Sequence, residues 1–202
     1  MEKVDLVAYA TSSVVLYEAV SLDEFCDIVH HWHPELPLDT KEVEKVLSKF
    51  VDENEDALFI VRNGYVCHYM LGMAGENLLS LLGDFFTRRG DKTRWMPETE
   101  EEFLAYNMDE VHIESPEGEE FEEFLSKHGL KDDDERLEML LPIMYDHQYG
   151  VSTQRSLSNL MARLKLKSQK DTIKFTQLLS AFLNTMHLQI NYGWTPQEML
   201  RT

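Results

Sequence analysis

Apolar residues recur at three- and four-residue spacing through most of the chain, and that period predicts helices. Residues 4–17, with Val4, Leu6, Val7, Ala8, Ala10, Val14, Val15 and Leu16, predict a buried first helix, although Thr11, Ser12 and Ser13 weaken its middle. Ser21 followed by Glu24 is a capping-box pattern, and Phe25, Ile28, Val29 and Trp32 repeat at helical spacing behind it. Pro34 and Pro37 stop that helix. Asp39 with Glu42 then precedes a third, carried by Val43, Val46, Leu47 and Phe50.

The period changes after the acidic turn at 52–56. Residues 58–61 and 65–69 read as two short strands joined through Arg62-Asn63-Gly64. Asn-Gly between β-formers predicts a hairpin, because both residues accept the positive φ of a type I′ turn. Three helices and a hairpin make a winged-helix plan.

From Glu76 the helical period returns, with Leu78, Leu79, Leu81, Leu82, Phe85 and Phe86, until Gly90 and Pro97 break it. Thr99 with Glu102 restarts it over 98–106. Shorter helices are predicted over 119–127 and 132–145, the latter ended or kinked by Pro142. The last two are predicted over 157–166 and 172–192. The fold expected is mainly α: a winged-helix-like N-terminal unit at 1–72 packed on a C-terminal helical unit at 73–202, with the seam near Gly72 and Gly75. The scarcity of glycine and proline, nine and six, argues against a fold of many short strands.

Charge changes the functional picture more than the structural one. With 37 acidic and 19 basic residues the formal net charge is -18. The acid is uneven: residues 98–146 hold 18 acidic and 3 basic residues, and residues 147–202 hold 2 and 7. The acidic block is interleaved with apolar residues, so it reads as folded helix surface and not as an acidic tail. The cationic stretch consists of Arg155, Arg163, Lys165, Lys167, Lys170 and Lys174. It can pair with the acidic block or with an external nucleic acid or acidic partner.

Signals for catalysis are weak. His30, His31 and His33 form the densest metal-like cluster, yet no carboxylate or cysteine nearby completes a zinc set. His68, His112, His128, His147 and His187 are isolated from one another, and nothing pairs them with a nucleophile. There is no glycine-rich phosphate loop, no GxSxG elbow, no HExxH and no EF-hand loop. No enzyme activity, cofactor or metal is expected. Cys26 and Cys67 are far apart and read as buried reduced thiols. No apolar run approaches the ~20 residues that span a bilayer, and no secretory leader is recognisable, so a cytoplasmic protein is expected.

A winged helix would place its third helix in the recognition position for DNA. Here that helix presents Glu42, Glu44, Lys45, Lys49 and Asp52, and the turn after it is acidic. Phosphate would be repelled. On the hairpin, Arg62 and Asn63 alone suit a minor groove.

The C-terminal run Asn184-Thr-Met-His-Leu-Gln-Ile-Asn191-Tyr-Gly193-Trp-Thr195-Pro196-Gln-Glu198-Met199 resembles a motif of bacterial, mainly Gram-positive, proteins that have no settled activity. In them Asn-x-Gly-x-Thr-Pro-x-Glu often precedes a cysteine-rich SEC-C zinc motif. Residues 20–25, 40–43 and 64–68 resemble their N-terminal part. The resemblance implies a winged-helix-like first part, and the motif residues Asn184, Asn191, Gly193, Thr195, Pro196 and Glu198 are themselves expected to form a structural turn. No cysteine follows Cys67 in these 202 residues, so no SEC-C motif is expected. Where those proteins carry a basic residue and an aromatic inside the motif, this chain has His187 and Gln189. Independently, Thr195, Pro196 and Glu198 suit the N-cap, first and third positions of a short helix, and Gly193 suits a left-handed cap on the long helix before it.

The function expected is a non-catalytic protein-interaction or regulatory module whose partner is another protein. The alternative is a nucleic-acid-linked regulator that uses the winged helix or the 155–174 stretch. An acidic mimic of nucleic acid is a third reading, disfavoured by the mixing of acid with apolar residues. The first requires an apolar or mixed-charge surface patch.

Overall fold

The computed structural model describes residues 4–107 and 115–201, and divides into two compact units, 1–110 and 111–202. His112 and part of the acidic block lie outside the described residues. The described residues are mainly helical, with one small antiparallel sheet.

The first unit is organised around α1 (Leu6–Tyr17), which Asp5 caps by accepting from the Val7 and Ala8 amides. The Thr11-Ser12-Ser13 run does not interrupt it. These small side chains are buried, and tertiary packing on all sides outweighs their weak helix propensity. Glu18 ends α1 at φ 64 with its amide on the Val14 carbonyl. The chain then runs into β1 (Ala19–Ser21), a strand too short to show alternation in the sequence.

Ser21 and Glu24 form the expected reciprocal capping box on α2 (Leu22–Trp32). Asp39 caps α3 (Thr40–Glu53) through the Lys41 and Glu42 amides. β2 (Phe59–Arg62) and β3 (Tyr65–His68) pair with Arg62 opposite Tyr65, leaving Asn63 and Gly64 as a two-residue turn at φ 54 and 80. β1 joins the other side of β3, giving the strand order β1-β3-β2.

Beyond the hairpin, residues 69–72 leave the strand expected at 65–69 and form α4 (Tyr69–Gly72). α5 (Leu78–Arg89) buries Leu78, Leu82 and Phe85. Leu78 and Leu82 join Ala19 and Cys67 in one apolar cluster, against which Ile60, Tyr65 and Phe86 pack. Phe59 stacks on Phe50 of α3 at 5.8 Å. Because successive strand residues alternate, Phe59 and Ile60 face opposite ways. The sheet is thus covered by α3 on one face and α5 on the other. Residues 73–110, grouped with the C-terminal helices in the sequence reading, belong to this first unit. It continues with α6 (Glu100–Leu104), whose N-cap Thr99 forms a capping box with Glu102, and a 3-10 turn at Ala105–Asn107.

In the second unit the described elements are all helical: α7 (Pro116–Lys127), α8 (Asp133–Gln148), α9 (Gln154–Arg163), α10 (Gln169–Thr185) and α11 (Pro196–Met199). Phe121, Leu125, Leu140, Ile143, Leu160, Phe175 and Phe182 form the centre of its core. α7 starts earlier than the apolar pattern indicated, because Ser115 caps it and Pro116 occupies its first turn. α8 continues through Pro142, which is exposed, while Leu140, Ile143 and Met144 are buried on either side of it. That anchoring overrides the ~3 kcal/mol that an internal proline costs a helix. α10 is shorter than the helix expected over 172–192. It stops at Thr185, whose hydroxyl donates to the Phe182 carbonyl at 2.8 Å, and Met186 is extended.

Candidate functional site

The C-terminal motif folds as a tight local turn. Past Met186 the chain makes a 3-10 turn at Gln189–Asn191, and Tyr192 and Gly193 both take positive φ, 58 and 89. Tyr192 therefore caps this turn, with Gly193 just beyond it, and the cap of the long helix is Met186, so Gly193 does not cap that helix. Thr195 and Glu198 form a capping box on α11 with Pro196 in its first turn, and the Thr195 amide and hydroxyl both donate to Glu198 Oε2, at 2.9 and 2.8 Å. The imidazole Nδ1 of His187 lies 2.6 Å from the Gly193 carbonyl oxygen. Thr195 is buried, Asn191 half-buried and Asn184 exposed on α10. The Thr195–Glu198 bonds and the His187–Gly193 contact are all made within the turn itself.

The cationic residues are all exposed: Arg155 and Arg163 on α9, Lys165 and Lys167 in the following connection, and Lys170 and Lys174 on α10. Two of them pair with the acidic block. Lys174 meets Glu120 of α7 at 2.7 Å, and Arg163 meets Glu135 of α8 at 3.5 Å. Arg155, Lys165, Lys167 and Lys170 have no ion pair among the described residues. Arg155 borders a shallow depression with Ser152, Gln154, Ser158 and Asn159. Some of the acids sit in helix first turns, as Glu100, Glu101 and Glu102 on α6 and Asp133, Asp134 and Glu135 on α8 do, where the helix dipole favours them.

The three histidines diverge. The His30 Nε2 lies 2.8 Å from the Leu36 carbonyl oxygen, His31 packs edge-on against Trp32, and the His33 Nε2 lies 2.8 Å from Glu100 Oε1. Among the described residues no group of three or more histidines, cysteines or carboxylates is placed to hold a metal ion. Glu100 Oε1 also accepts from the Tyr9 phenol at 2.6 Å, tying α1, the end of α2 and the start of α6 together. Burial, followed by the hydrogen bond to Glu100, pushes the Tyr9 phenol up. Burial alone would raise Glu100, but the hydrogen bonds from Tyr9 and His33 outweigh it and hold the carboxyl below its ordinary range. A phenol held protonated this way is a poor base, and the cluster reads as a clasp. Sequence separation concealed it, since Tyr9 and Glu100 lie 91 residues apart.

Cys26 and Cys67 are both buried and free. Burial, reinforced by the charge of Glu18, pushes Cys67 up to about 12, far from the reactive thiolate.

On α3 the exposed residues are of mixed sign, Lys41, Glu42, Lys45, Lys49, Asp52 and Glu53, together with the apolar Val46, and Lys49 pairs with Glu53 at 3.7 Å. The segment that follows the hairpin is different. Tyr69, Met70, Met73, Leu79 and Leu81 are five of the large apolar side chains that stand in solvent, and Met73 is 81% exposed. At the foot of this segment a depression of about 290 Å³ is lined by Glu55, Asp56, Ala57, Leu58 and Tyr69. The Tyr69 amide donates to the Leu58 carbonyl at 2.9 Å, which fixes α4 beside that depression. Sequence reasoning missed this surface because 65–69 looked like strand and 70–75 like a seam. The available signal was the pair Met70 and Met73, three apart in a stretch with no buried apolar partner to match.

No protein family, curated protein or solved structure matches the chain. No helix among the described residues is long and apolar enough to cross a membrane.

Proposed function

We propose that the chain is a non-catalytic protein-interaction or regulatory module, that its first unit is built on a winged-helix plan, and that it docks a partner protein through residues 69–81. The observation that carries this reading is the concentration of exposed Tyr69, Met70, Met73, Leu79 and Leu81 in one short stretch of a strongly acidic chain. Apolar surface left in water costs about 25 cal/mol per Å² relative to burial, and several large apolar side chains left exposed in one stretch support an interaction role. Methionine suits such a surface because its unbranched side chain adapts to the partner. The order α1-β1-α2-α3-β2-β3, with the Asn63-Gly64 hairpin closing the sheet, supports the winged-helix plan. The nucleic-acid alternative has less support. The acidic turn after α3 repels phosphate, and two of the six cations of the 155–174 stretch, Arg163 and Lys174, are paired with Glu135 and Glu120.

The test is a quantitative comparison of proteins retained from native lysate by the wild-type chain and by a Met70→Ser/Met73→Ser/Leu79→Ser variant of equal thermal stability. Loss of a specific partner set in the variant is expected. Identical partner sets, or tight salt-sensitive binding of duplex DNA by both proteins, would overturn the reading.

A further inference from the structure

We infer that the partner presents a basic, amphipathic segment: a lysine or arginine side chain seats in the depression under Tyr69 while apolar side chains on the same segment cover Met70 and Met73. This rests on the proposed docking role of 69–81 and adds the chemistry of its partner.

Charge and shape at the foot of the segment carry the argument. Glu55 and Asp56 are exposed, lie on the rim of the depression and have no ion pair among the described residues. Two carboxylates beside an exposed phenol ring form a receptor for a cation, combining ionic attraction with the negative face of the ring. The walls contributed by Ala57 and Leu58 are apolar, which suits the aliphatic stem of a lysine or arginine.

The same ring opens onto the apolar stretch. Met73 lies one helical turn beyond Tyr69, its amide donating to the Tyr69 carbonyl at 3.1 Å, so the side chains at 69 and 73 share a face. A partner helix with a cation one turn from an apolar residue reproduces this spacing. The formal charge of -18 opposes association of this chain with a second copy, so the occupant proposed is a separate cationic partner.

The experiment titrates the full chain, with amide and methionine-methyl resonances observed, with a synthetic helical peptide bearing lysine on one face and leucine on the other. An analogue with glutamate in place of lysine is the control. The lysine peptide is expected to shift Tyr69, Met70 and Met73. Glu55→Lys/Asp56→Lys, both at exposed turn positions, is expected to weaken binding roughly tenfold at low salt without lowering the thermal midpoint. Equal binding of the glutamate analogue, shifts confined to the acidic helices α6 to α8, or no shift at all would overturn the inference. Binding that survives Glu55→Lys/Asp56→Lys but is lost in Met73→Asp would also overturn it, and would leave the docking role of 69–81 standing.

Discussion

Helix α1 is buried from Tyr9 to Tyr17 except at Val15, whereas the longer α10 buries Phe175, Leu178, Leu179 and Phe182 and leaves Lys174, Gln177 and Ser180 in solvent. The first is surrounded by its unit, so its middle is made of small residues, Ala10 to Ser13, that let neighbours approach from every side. The second presents one stripe to the core and a polar back to water. A helix of the first kind is limited by volume all round, and one of the second kind only along its stripe.

The sharpest way to break this comparison is to make the same change in both helices. Ser13→Leu forces a large side chain into a fully buried position and is expected to destabilise the protein by about 1–3 kcal/mol. Ser180→Leu, on the exposed back of α10, is expected to stay within about 0.5 kcal/mol of wild type. Urea denaturation of the two variants measures both. Equal effects would mean that α1 is not confined as described.

Acid separates the units less strongly. In the second unit, burial holds His147 below its ordinary value of 6.5, although its hydrogen bond with the Leu183 carbonyl works the other way. An unfolded chain binds that proton more readily. Stability from His147 is therefore full above about pH 6.5 and is lost as pH falls from there through the depressed folded value. Glu100 in the first unit is also depressed, so its share is full above 4.5 and is lost only below that. Solvent screening of the partly exposed Glu100 keeps its share small. Amide exchange is expected to rise first in α8 and α10 on acidification, with Tyr9 and its neighbours following at lower pH. His147→Gln should erase the earlier of the two steps.

The smallest effect belongs to the ion pair between α7 and α10. Lys174 and Glu120 are each about half exposed, and Lys174→Ala is expected to cost less than about 1 kcal/mol, and less still at high salt. A larger loss would mean that charge, and not the apolar stripe, holds α10 in place.

The architecture was legible where local chemistry decides it. Ser21 with Glu24, Thr99 with Glu102, Thr195 with Glu198 and the Asn63-Gly64 turn each specify their element within a few residues. What escaped was decided at a distance. β1 exists because Ala19 and Val20 find Cys67 and Val66, and α8 passes Pro142 because buried neighbours hold both halves. The 73–110 segment joins the first unit because Leu78 and Leu82 meet Ala19 and Cys67. The same holds for the site. The cations at 155–174 were visible as charges, but their pairing with Glu120 and Glu135 depends on how the helices pack. The surface at 69–81 was hidden by a misread strand end.

The Asn63-Gly64 turn has a chemical lifetime as well as a shape. The Gly64 amide nitrogen is unhindered in attacking the carboxamide carbon of Asn63, which expels ammonia and leaves a succinimide ring, and water opens that ring to aspartate or to isoaspartate. Isoaspartate carries the main chain through an extra methylene, so the register that sets Arg62 opposite Tyr65 would have to shift. While the hairpin is closed, the Gly64 carbonyl accepts from the Leu22 amide at 2.9 Å and the turn is held at fixed φ. The rate at which this peptide ages is thus a clock for how often the turn itself opens.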